Sequence, residues 1–157
     1  CGVALGLGSE HPSYESARGL LPRIDRPYAW YIRVQDIPAF IRRISAVLER
    51  RLARSSKASY SGDLKLSFVT DGLQIIFDKG LLIGVEKWMA TQRDSRLVPV
   101  ERDALIPDLA FLKMLFGYRS LEDLEYAFPD CIVSSQEARV LLDILFPKQI
   151  SQVWAIE

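Results

Sequence analysis

The chain has 157 residues, 49% of them hydrophobic and 25% charged, and its 20 basic residues balance 20 acidic ones. Zero net charge excludes general nucleic-acid binding, which needs an excess of Lys and Arg to displace counterions. No apolar run approaches the roughly 20 residues of a membrane span, and the cysteines, Cys1 and Cys131, are too few and too far apart for a disulfide framework or a CxxC metal site.

These bounds predict one cytoplasmic domain with reduced cysteines, with or without an appendage. Residues 1–8 are apolar and Gly-rich, as the end of a strand from a body lying upstream would be. The absence of an initiator Met points the same way, toward a fragment. Residues 9–25 form a connector with a short helix around 14–21. Aromatic and β-branched residues dominate 28–34, which predicts a strand.

Asp36 opens the longest predicted helix, with Asp as cap and Pro38 in the first turn. Ile37, Phe40, Ile41, Ile44, Val47, Leu48 and Leu52 recur at helical spacing and give one apolar face. Arg42, Arg43, Glu49, Arg50, Arg51 and Arg54 occupy the other, and at zero net charge a solvated surface is the expected role. Residues 55–62 make a polar loop.

The stretch 64–89 reads as three consecutive strands. Leu64, Leu66 and Phe68 alternate with polar residues, and Leu73, Ile75 and Phe77 do so again. Asp71-Gly72 is a hairpin signal in which Gly supplies the positive φ, and Asp78-Lys79-Gly80 makes the second turn. The third strand, 81–88, starts apolar on both faces, which predicts cover on both sides of the sheet there. A short strand follows at 97–101, at an edge because of Pro99.

Asp108 is the predicted cap of a helix that is apolar nearly all round and therefore buried, with Gly117 as its stop. Ser120 and Asp123 make a capping box for a helix ending before Pro129. Ser134 and Glu137 make another, for a helix carrying Ala138, Leu141, Leu142 and Leu145. Residues 151–157 form a closing strand. Strands and helices are segregated, so the fold class is α+β, with a mostly antiparallel sheet of about five strands covered by helices.

No catalytic constellation emerges. His11 is the only histidine and precedes a proline in the connector. No GK[ST] follows the early glycines, and the carboxylates lack calcium-loop spacing. Cys131 has no basic neighbour to lower its pKa, so a structural thiol is expected. What stands out is an apolar surplus: Phe68, Phe77, Trp88, Phe111, Met114 and Phe116, with Tyr118, Phe128 and Phe146. These residues form either a packed core or the wall of a pocket for an apolar ligand.

A long amphipathic helix, an antiparallel meander and a buried helix pair resemble the sterol-carrier-protein-2-like domain. More specifically, Tyr28-Ala29-Trp30-Tyr31-Ile32-Arg33-Val34, the run from Phe111 to Leu121 containing FGYRSL, Ala127-Phe128-Pro129-Asp130 and Leu145-Phe146-Pro147-Lys148 resemble the C-terminal region of bacterial GNAT-family N-acetyltransferases of the enhanced-intracellular-survival-related type. The resemblance spans about 28–157. It implies that 1–26 are the tail of an acetyltransferase region and its connector, and that 27–157 form the sterol-carrier-like domain. It also implies that the body binding acetyl-CoA lies upstream, because the loop motif Arg/Gln-x-x-Gly-x-Gly/Ala is missing here.

No cofactor or catalytic residue is then expected in this chain. In some such proteins the terminal carboxylate reaches the catalytic site, a place Glu157 would take if the chain naturally ends there. The expected function is a non-catalytic accessory domain that shapes the acceptor site or mediates assembly, including homo-oligomers. The alternative is a lipid-binding or other apolar-ligand module of sterol-carrier type.

Overall fold

The computed structural model describes residues 12–17, 19–20, 32–69, 71–89 and 102–149. The meander forms as expected, from β1 (Gly62–Ser67), β2 (Gly72–Asp78) and β3 (Leu81–Lys87), paired antiparallel in succession. Leu64, Leu66, Phe68, Leu73, Ile75 and Phe77 are all buried, as their period of two requires. The β2–β3 turn has positive φ at Lys79 (49°) and Gly80 (82°), the mirror-image turn that matches strand twist.

The β1–β2 turn differs from expectation. Val69, not Gly72, takes the positive φ (83°), and Gly72 lies within β2. Gly72 serves close packing instead. A Cβ there would stand 2.4 Å from the Leu66 carbonyl oxygen and 2.8 Å from that of Trp88.

Two short strands complete the sheet. β4 (Ala104–Leu105) runs parallel to β1, and β5 (Ile132–Val133) pairs antiparallel with β4. The order is β3-β2-β1-β4-β5, an open and mostly antiparallel sheet within an α+β fold. The strands expected at 97–101 and 151–157 lie outside the described residues, as do 1–8, His11 and most of 28–34; the described remainder of that last stretch, 32–34, has no regular structure. In the connector, α1 (Pro12–Ala17) starts two residues earlier than expected and ends sooner.

The Asp36 carboxylate accepts the Ala39 N–H at 2.9 Å and caps α2 (Ile37–Arg43). The expected long helix breaks at Ile44 and resumes as α3 (Ser45–Ala53). At the break the Ile44 N–H is shared between the carbonyls of Phe40 and Ile41, both at 3.2 Å. The apolar stripe survives it, since Ile41, Leu48 and Leu52 are fully buried, whereas Val47 is exposed.

In α4 (Asp108–Leu115), Ala110, Phe111, Leu112, Met114 and Leu115 are buried, and Asp108 and Leu109 face out. Asp108 is not its cap. Pro107 holds that position and Asp108 is the first helical residue. Gly117 (φ 72°) closes the helix as expected. The Ser120–Asp123 capping box opens α5 (Leu121–Ala127), with both reciprocal bonds at 3.1 Å. In α6 (Gln136–Leu145) the cap is Ser135, whose hydroxyl accepts the Ala138 N–H, and not Ser134. The Ser134 N–H is already bound to the Asp103 carbonyl, extending the β4–β5 ladder, and Glu137 pairs with Lys57 at 2.7 Å. Residues of α2 to α6 and of one sheet face share a single buried cluster.

Candidate interaction face

The six residues singled out for the apolar surplus part company. Phe68, Phe111 and Met114 lie in the core; the Phe68 ring is 5.1 Å from Phe111, which meets Phe146 edge-on at 5.5 Å. Phe77 is buried too, but its ring partner is Tyr60 at 6.1 Å. Phe116 is half-buried, 5.4 Å from Phe40 of α2. Trp88 follows β3 at the rim, half-buried, with its N–H bonded to the Gly72 carbonyl. Among the described residues no buried side-chain polar atom lacks a partner and no group of His, Cys, Asp and Glu has the arrangement of a metal site. Cys131 is buried, which together with Asp130 and Glu125 pushes its thiol pKa up, away from reactivity.

The other face of the sheet is different. Leu81 and Ile83 on β3 are 59% and 65% exposed, so among the described residues nothing supplies the expected cover on this second side. Alternation puts Leu81 and Ile83 on one face, opposite to Leu82, and a bulge follows. Phe77 pairs with Leu82 and Ile76 with Gly84, leaving Ile83 as the extra residue. The bulge brings both Leu82 and Val85, three residues apart, to the core side. Ile76 lies beside Gly84 on this open face, where its Cδ1 would be 3.2 Å from a Cβ at Gly84. Across the sheet, Ile132 of β5 is half-exposed opposite Leu105. Asp63, Lys65, Gln74 and Glu86 supply the polar groups between these apolar ones, and Gln74 Nε2 donates to Asp63 at 2.8 Å.

The helix face expected to be merely solvated also does structural work. Arg42 Nη1 donates to the Val85 carbonyl at 2.5 Å, and Glu49 accepts the Leu82 N–H at 3.0 Å. Arg51 Nη1 reaches the Leu145 carbonyl at the end of α6, and burial lowers its pKa. Arg43, Arg50 and Arg54 remain exposed, as a solvated surface requires.

Val69 stands at the hairpin tip next to Phe68, 66% exposed and in a backbone region that β-branched residues rarely adopt. Val69→Asn is expected to stabilise the chain by about 0.5–1 kcal/mol, because Asn tolerates that conformation and little burial is lost. A rise in Tm checks it, and a fall would contradict the strain. A second expectation concerns pH. Lys148 donates to Asp123 at 2.7 Å and, with the Ser120 N–H, holds that carboxyl down to about 2 from its ordinary 3.8. A depressed folded-state pKa stabilises fully above about pH 4 and is lost as pH falls through the folded value. In Lys148→Ala the Asp123 midpoint should rise toward 3.8 in an NMR titration; an unmoved midpoint would remove Lys148 as the cause.

No family model, curated protein or solved structure matches the chain. Among the described residues no helix is long and apolar enough to cross a membrane.

Proposed function

We propose that this chain is a non-catalytic accessory domain of a GNAT-type N-acetyltransferase, docking through the open face of its sheet to shape the acceptor site or to hold an assembly together. The observation that carries the docking part is the outward set of Leu81, Ile83 and Ile132 on a face that the described helices leave bare. Leu81 and Ile83 on one outer strand and Ile132 on the other flank a polar centre of Asp63, Lys65 and Gln74, and exposed apolar side chains beside polar ones are what a docking face presents. The acetyltransferase part rests on the resemblance across 28–157, FGYRSL above all, and acetyl-CoA would belong to the catalytic body. Burial of Phe68, Phe111 and Met114 together, with rings in succession, favours this reading over an apolar-ligand carrier.

Leu81 and Ile83 are exposed, so the double variant Leu81→Lys/Ile83→Lys leaves the core untouched. Its binding to the catalytic body of an acetyltransferase of this type, followed by calorimetry beside the parent chain, is expected to weaken at least tenfold, or about 1.4 kcal/mol. Equal affinities would remove the open face as the docking surface. CoA release from acetyl-CoA by the chain alone would overturn the non-catalytic role.

A further inference from the structure

The outward side of α2 and α3 carries a row of arginines that the fold itself does not use. Arg43, Arg50 and Arg54 stand seven and four residues apart, and the helical winding runs on through Ile44, whose N–H still donates to the carbonyls three and four residues back. That spacing puts the three guanidinium groups on one ridge, spread over roughly 16 Å of helix. The other exposed residues of α3 are Ala46, Val47 and Ala53. Glu49 is the one acid in the two helices, and it is turned to the Leu82 N–H. Arg42 and Arg51 are turned to backbone carbonyls. Among the described residues, Arg43, Arg50 and Arg54 have neither a hydrogen bond nor an ion pair. A solvated helix face usually interleaves both signs, whereas this one presents three positive charges and no free negative one. Arg43 also borders an open groove of about 470 Å³, to which Val34, Ala39 and Phe40 contribute the apolar part.

We infer that this ridge docks an acidic segment of a partner protein, with carboxylates along the arginines and an apolar side chain in the groove. Carboxylates suit the ridge because a guanidinium pairs with them through two parallel N–H groups. The small side chains of Ala46, Val47 and Ala53 let such a segment come close. An anionic membrane fits less well. Ile41, Leu48 and Leu52 are fully buried, and Val47 is the one exposed apolar residue larger than alanine on α2 and α3, so little is left to enter a bilayer beside the charges. A nucleic acid fits no better, since three phosphate contacts on a chain of zero net charge release few counterions. The ridge lies on the helices and the open face on the sheet, so this contact does not rest on the docking proposed above.

Fluorescence anisotropy of a labelled peptide, two copies of Leu-Glu-Glu-Ala-Glu-Glu-Ala, tests this with the full chain at low ionic strength. The parent is expected to bind the peptide and to lose it when Gln replaces every Glu. Arg50→Glu/Arg54→Glu should weaken binding by about tenfold or more, through the loss of two charge-assisted pairs. Lys87→Glu, a charge reversal on β3, should bind as the parent does. Serine in place of the two leucines of the peptide should weaken binding as well, and no change would overturn the part assigned to the groove. A parent chain that ignores the acidic peptide would overturn the inference, as would a double variant that binds it equally well. Tighter binding to phosphatidylserine vesicles or to a DNA duplex than to the peptide would assign the ridge to phosphates and overturn it too. Should the double variant lose its far-UV spectrum, Arg50→Gln/Arg54→Gln decides: weaker binding is expected, and an unchanged affinity would overturn the ridge.

Discussion

Phe111→Ala is expected to lower the unfolding free energy by about 3–5 kcal/mol, the cost of removing a large buried ring and leaving a cavity behind it. Phe111 is fully buried and sits between two other rings, Phe68 at 5.1 Å and Phe146 at 5.5 Å. It thus joins the end of β1, the centre of α4 and the end of α6, three elements far apart in the chain. None of these partners can follow a shrinking side chain without giving up its own contacts. Urea unfolding monitored by tryptophan fluorescence measures the change. A loss below about 1 kcal/mol would mean that the ring contributes little packing, as a residue lining a hollow would.

Gly80→Ala should have the second largest effect, a loss on the order of 2–4 kcal/mol. Two independent reasons converge. The φ of 82° is one that a residue with a Cβ rarely adopts, and the new Cβ would meet the Ala58 carbonyl oxygen at 2.1 Å. Because the Gly80 N–H also bonds the Tyr60 carbonyl at 2.9 Å, strain there loosens the grip of the β2–β3 turn on the loop after α3. Chemical denaturation again reads the loss. A variant as stable as the parent would show that the loop and turn separate without penalty.

What could be read from the sequence, and what could not, divides along physical lines. The meander was legible because each strand follows its own period and the Asp78-Lys79-Gly80 turn has a local mechanism. The caps at Asp36 and Ser120 were legible for the same reason, since each bond closes within three residues. β4 and β5 were not, because two-residue strands have no period; they exist by pairing with β1 and with each other. The choice of Ser135 over Ser134 depended on a bond from the Ser134 N–H to the Asp103 carbonyl, far away in sequence yet adjacent in the sheet.

The break at Ile44 left no mark in an apolar stripe that continues through it. The open face was half legible. The signal was an apolar residue on each side of β3, and reading it as cover missed that Leu81 and Ile83, on the face opposite Leu82, stay exposed. Arg42 and Glu49 carried no sequence signal as edge-binding residues, since nothing local distinguishes them from Arg43 and Arg50 on the same helices.

The account places the apolar surplus inside a packed core and the function on the bare face of the sheet. Native mass spectrometry of the purified chain, before and after organic extraction, tests that division most directly. The predicted result is one mass, that of the bare 157-residue chain, unchanged by extraction. A reproducible additional mass that extraction removes would contradict the account, placing an apolar ligand among the residues assigned here to packing.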